Sequence, residues 1–214
     1  YYWDNIIISD DLFSFSFDFE SLKKILNFGI PLLPHAFFGI LLASSSKIFL
    51  LNMISHEAVG IYSVAFQVAS AVLLIMTSIN QAWAPNLYEV LNSNPNQHVK
   101  LVIVKKTYKL MLLMLAATLL FIVFVPFLFK IFIDENYHSG IFLSRIISFG
   151  FLMNGLYFLV TNYILFTKKT KVLSYITSVI SIFGIIINYY LILEYGIIGA
   201  SYSLIVTFGL LFIA

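Results

Sequence analysis

Lys47 is the one charged side chain set well inside an apolar stretch of this 214-residue chain, in the run ASSSKIFLL. A cation at membrane depth is expensive and by default marks a functional site. Its ammonium is a compact point charge, suited to an anionic headgroup such as a diphosphate. A plainer reading stands beside this one: few apolar residues follow Lys47, and a lysine near a span end reaches the interface along its methylene stem. Arg145 has a comparable place on a later span, but it precedes Asn154 by nine residues, which leaves it half a turn around the helix and off that residue's face. Gln67, Ser70 and Gln81 share a helical face with Ser63, Thr77 and Ser78, while Asn154, Thr161 and Asn162 share another. A third stripe runs through Ser174, Thr177, Ser178, Ser181 and Asn188. Lipid cannot hydrogen-bond such groups, so the stripes face protein or water. The glutamines of the first favour a water-filled cavity, and the small residues of the third favour helix packing. Lys47, Gln67, Ser70, Gln81, Asn154 and Arg145 are thus the candidate substrate-binding residues.

The chemistry of catalysis is missing from these stretches. None of the ten acidic residues lies deep in one, and His35, His56, His98 and His138 are scattered. His35, beside a proline, fits a packing or interfacial role. There is no HExxH, no paired carboxylate and no phosphate-cradling glycine loop. Without cysteine there is neither a disulfide framework nor a thiolate metal site. The expectation is a chain with no catalytic residue, no metal and no cofactor. The lysines are accounted for by membrane topology, which leaves nothing to suggest nucleic-acid binding.

The elements that carry these residues are apolar spans. Hydrophobic residues make up 61% of the chain and charged residues 10%, against roughly 25% charged in a soluble domain. The runs 110–129, 146–166 and 172–193 contain no charge, and each approaches the ~20 residues that a membrane helix needs. Runs 25–46 and 58–88 are also charge-free, and 197 opens another. This predicts an all-α membrane protein, a polytopic bundle of six transmembrane helices at about 28–54, 59–84, 108–132, 141–166, 172–193 and 197–214. Residues 1–24 read as a cytoplasmic connector and 25–214 as the bundle. The alternation in FSFSFDFE suits a short strand or an extended segment within that connector, and Ser21 with Leu22-Lys23-Lys24 could start an amphipathic turn. Pro31 and Pro34 predict a bend near the cytoplasmic end of the first span, or else a helix start near Pro34.

Nine of the twelve Lys and Arg residues fall on one side of these spans: Lys23 and Lys24, the group from Lys100 to Lys109, and the group from Lys168 to Lys171. The positive-inside rule puts that side in the cytoplasm. Trp83, Pro85 and Tyr88 then form part of the cytoplasmic rim. No cleavable signal peptide is visible at the start. The chain begins at Tyr1 and stops within an apolar span, which reads as part of a longer transporter.

The segments FGIPLLPHAFFG at 28–39, VGIYSVAFQVAS at 59–70, QAWAPNLYE at 81–89, FTKKTK at 166–171 and NYYLILEYGIIGAS at 188–201 occur in order. Over nearly its whole length the chain resembles the C-terminal half of bacterial polysaccharide-biosynthesis flippases of the O-antigen type, in the multidrug/oligosaccharidyl-lipid/polysaccharide (MOP) exporter superfamily. The resemblance implies two six-helix bundles around a cavity that opens alternately to each side of the inner membrane. It implies a cargo of undecaprenyl-diphosphate-linked oligosaccharide, contact with membrane lipids, and a missing N-terminal half as the partner bundle. Members often carry an Asp-Arg pair where this chain has Ser46 and Lys47, so the cation is kept in kind and the acid is lost. A multidrug/cation antiporter or a lipid II flippase shares the fold, although an antiporter should hold a membrane-embedded carboxylate and this half has none. A membrane glycan polymerase or ligase would need a large external loop, and the longest outer connection is about 133–140. A structural subunit would have no use for the polar face around Gln67 and Gln81.

Overall fold

The computed structural model describes residues 19–30, 32–93 and 95–214. Most of the FSFSFDFE run and the rest of the expected connector up to residue 18 lie outside the described residues, as does the side chain of His35. Every regular element among the described residues is helical: α1 (Phe19–Gly29), α2 (Leu32–Met53), α3 (His56–Asn92), α4 (Gln97–Phe132), a short 3-10 turn (Glu135–Tyr137), α5 (Gly140–Phe166) and α6 (Thr170–Ile213). Four of them, α3 to α6, are long and apolar enough to cross a membrane, and a shorter apolar helical stretch, Phe37–Met53, lies in α2.

Local chemistry sets the ends. The Ser55 hydroxyl accepts from the Ala58 N–H and the Asn96 carbonyl oxygen from the Val99 N–H, each satisfying an otherwise orphaned donor of a first turn. The connection between the spans predicted at 59–84 and 108–132 is consequently much shorter than those bounds imply, because α3 extends to Asn92 and α4 starts at Gln97. The first span also differs from a single bent helix starting near 28. α1 ends at Gly29 and α2 begins at Leu32, with Pro34 in the first turn of α2. Proline is tolerated in that turn because the N–H it lacks would have no partner there anyway.

α6 is where chain length and geometry conflict most openly. A straight helix of its 44 residues would be ~66 Å long, twice the ~30 Å hydrocarbon core. It is not straight. Gly196 has φ 58° and ψ −134°, a combination open to glycine and strained for other residues. The chain reverses there, so that Ser203 Oγ lies 2.9 Å from Asn188 Oδ1. On a continuous helix those residues would be separated by ~22 Å. Two antiparallel limbs result, 170–195 and 197–213.

α5 forms the centre. It packs on α3, on α6 and on α4, while α2 packs on α6. Within its most apolar window 61% of residues are buried, against 22% for α4, which makes α4 the peripheral helix. Ala65, Ala69, Val72 and Met76 of α3 meet Ile147, Phe151 and Leu152 of α5 in the main core. Gly155 lets α5 close onto Met76, and Gly150 lets it close onto Leu204. Small residues permit such backbone approach in membrane bundles, where packing has to substitute for a hydrophobic driving force between helices.

Candidate functional site

A buried polar node ties α2 to both limbs of α6. Asn188 Nδ2 donates to Ser45 Oγ at 2.8 Å and to Ser46 Oγ at 3.1 Å. Its Oδ1 accepts from Ser203 Oγ at 2.9 Å and, more weakly, from Ser46 Oγ at 3.4 Å. The amide's hydrogen-bonding capacity is thereby filled. Ser45, Ser46, Asn188 and Ser203 are all at most 5% exposed, and the Tyr62 hydroxyl of α3 meets Ser46. Asn188 belongs to the stripe expected to pack, and its burial with Ser174, Thr177 and Ser181 agrees with that expectation. Ser45, Ser46, Ser203 and Tyr62 were not among the candidates. Ser46 is the position where the resemblance would place an acid, and here it is committed to Asn188.

Lys47 leaves this node in the opposite direction. Its side chain is exposed, and Nζ lies 5.7 Å from the centroid of the Phe66 ring, a cation–π contact. The neighbouring Ser45 and Ser46 turn inward to Asn188, away from the ammonium. Phe66 packs edge-on against Phe151, with ring centroids 5.2 Å apart. Both rings line a cavity of about 250 Å³ between α2, α3, α5 and both limbs of α6. Its wall is mostly apolar, with Asn154, Thr177 and Ser181 as the polar contributors.

The other candidates separate into groups. Gln67 and Gln81 are exposed on α3, together with Leu74 and Ser78. Ser70 is half-buried, and its hydroxyl donates to the Gln67 carbonyl at 2.6 Å. Gln67 directly follows the ring that Lys47 covers, so these two lie at one level of the bundle. Asn154 does not join them, since it lines the internal cavity. Arg145 is half-buried on α5, with its Nε shielded from solvent and without a hydrogen-bond partner. Thr161 and Asn162, predicted to share Asn154's face, are buried instead of lining that cavity. Asn162 Nδ2 donates to Asn80 Oδ1 at 2.8 Å, and the Tyr88 hydroxyl donates to Asn162 Oδ1 at 3.3 Å. This second polar link fastens α3 to α5 near their lysine-rich ends. Among the described residues no group of His, Cys, Asp and Glu could hold a metal ion.

The family model described as "Polysaccharide biosynthesis protein" matches residues 1–90. The chain is also similar to Lsg locus protein 1 of Haemophilus influenzae, at 27% identity over 165 residues, which cover 72% of this chain and 38% of that relative. The chain therefore spans well under half the length of the curated relative. No solved structure matches. A chain built from membrane-length apolar helices is thus similar, in part of its length, to polysaccharide biosynthesis proteins.

Proposed function

We propose that this chain is one lobe of an exporter that moves undecaprenyl-diphosphate-linked oligosaccharide across the bacterial inner membrane for surface polysaccharide. In this reading α2, α3, α4, α5 and the two limbs of α6 are six crossings, and a second bundle supplies the facing wall. The observation that carries the proposal is Lys47: an exposed ammonium within the apolar helix α2, over a ring that also lines an apolar cavity. A lipid diphosphate needs such a pairing, with a cation for the phosphates and an apolar surface for the chain that follows them. The face bearing Gln67, Ser70 and Gln81 offers amide and hydroxyl groups to sugar, which lipid could not satisfy. Asn154 and Arg145 lie apart from this face and would act on the cargo only at another stage of transport. Transport of this kind requires no catalytic group and no cofactor.

The test is a charge series at Lys47 in the full-length protein. In a poorly hydrated cavity a cation attracts a diphosphate far more strongly than in water. Lys47→Arg should therefore keep most glycan export, and Lys47→Gln should lose about tenfold or more, at equal amounts of protein in the membrane. Normal surface glycan with Lys47→Gln would remove the residue from the site, since a glutamine that merely reaches the interface would be tolerated.

A further inference from the structure

We propose that the groove between α4, α5 and the end of α6 is a binding site for an anionic phospholipid of the cytoplasmic leaflet. The groove encloses about 290 Å³ and is lined by Val104, Thr107, Tyr108 and Met111 of α4, Tyr163 of α5 and Phe212 of α6. α4 is the peripheral helix, and its outward surface carries large apolar side chains such as Leu112, Leu120, Val123 and Phe127. Such a surface belongs against lipid, so an apolar groove beside it is filled by acyl chain. Of the three hydroxyls in the groove, two are paired with each other and the third, on exposed Tyr108, is open to an occupant. Thr107 Oγ1 donates to the Ile103 carbonyl at 3.1 Å and lies 2.8 Å from the Tyr163 hydroxyl, so the two hydroxyls satisfy each other. A sugar would find few free partners there, whereas a hydrocarbon chain matches the mostly apolar wall.

Charge enters at one end only. Val104, Thr107 with Tyr108, and Met111 follow Lys100 along one stripe of α4 at about one, two and three turns, which puts Lys100 directly below the groove on the lysine-rich side. Lys105, Lys106 and Lys109 belong to other faces of the same helix. Lys168, exposed just past the end of α5, adds positive charge at this level. An apolar slot ending in a cation fits an amphiphile with a single anionic head, and the orientation of the lysines assigns that head to the inner leaflet.

The experiment is native mass spectrometry of the full-length protein released from nanodiscs of equal phosphatidylglycerol and phosphatidylcholine. Wild type should retain phosphatidylglycerol preferentially. Lys100→Gln should lower that retention about fivefold, Lys100→Arg should restore it, and Lys106→Gln, the same change of charge on another face, should leave it alone. Val104→Trp, which fills the slot from an exposed position, should displace the lipid with Lys100 intact. Equal losses with Lys100→Gln and Lys106→Gln would reduce the effect to general surface charge and overturn the site. So would retention without preference between the two lipids, or the absence of any retained lipid, as expected if another part of the protein covers the groove. None of these readouts depends on glycan export, so the lipid site and the transport reading fail separately.

Discussion

At the scale of single residues, Asn188 and Lys47 show how one helical turn separates buried from exposed polarity. Ser45 and Ser46 point to Asn188 and are sealed in the bundle, while the next residue, Lys47, points out over Phe66. Removing the amide of Asn188 would take one partner from each of three buried serines, although Ser45 keeps the Leu42 carbonyl, Ser203 the Ala200 carbonyl and Ser46 the Tyr62 hydroxyl. A buried orphan costs about 1–3 kcal/mol, but hydrogen bonds between membrane helices average only ~0.6 kcal/mol because the unfolded chain also finds partners. Asn188→Ala should therefore lower stability by about 1–2 kcal/mol, visible as a lower melting temperature of the full-length protein in detergent. Ser203→Ala should cost less, since Asn188 keeps Ser45 and Ser46. Equal stability of wild type and Asn188→Ala would mean that the node does not fasten α2 to α6.

At the scale of elements, the close approaches rank the glycines. A side chain at Gly199 would overlap the Leu191 carbonyl across the reversal of α6, and backbone cannot move aside. At Gly184 the neighbour is β-branched Thr207, stiff at χ1. At Gly155 it is Met76, a flexible chain that can rotate away. Alanine should then cost most at Gly199 and least at Gly155, spanning roughly 1–3 kcal/mol, and thermal unfolding of the three variants should reproduce that order. If Gly155→Ala proved the most damaging, the α3–α5 seam would be tighter than the α6 reversal. The existence of these helices was legible in the charge-free runs, because membrane length and apolarity leave few alternatives. Their ends were less so: α3 and α4 run on past their apolar parts because local caps, not hydropathy, terminate them. The packing role of Asn188 could be read from its stripe, but its bond to Ser203 could not. It depends on where a chain lands after turning at Gly196, and spacing within one helix does not encode that.

At the scale of the whole molecule, the reversal at Gly196 decides on which side of the membrane the chain continues. Two structural observations point the same way. Asn188 bonds Ser203 across the turn, and Phe212 shares a groove with Val104 and Tyr163 at the lysine-rich level. Single cysteines in the full-length protein provide the check with a membrane-impermeant thiol reagent. Substitutions at the exposed Asn96 and Lys169 should be labelled from the cytoplasm, and those at His138 and Glu194 from outside. The discriminating position is Ala214. With α6 folded into two limbs, a cysteine there returns to the cytoplasmic side. With α6 as one continuous helix, it would stand ~66 Å from Thr170 and be labelled from outside along with Glu194. External labelling at Ala214 would leave five crossings instead of six and would separate Ser203 from Asn188. Labelling of Asn96 and His138 from one side would instead overturn the orientation taken from the lysines, and with it the placing of the α4 groove in the inner leaflet.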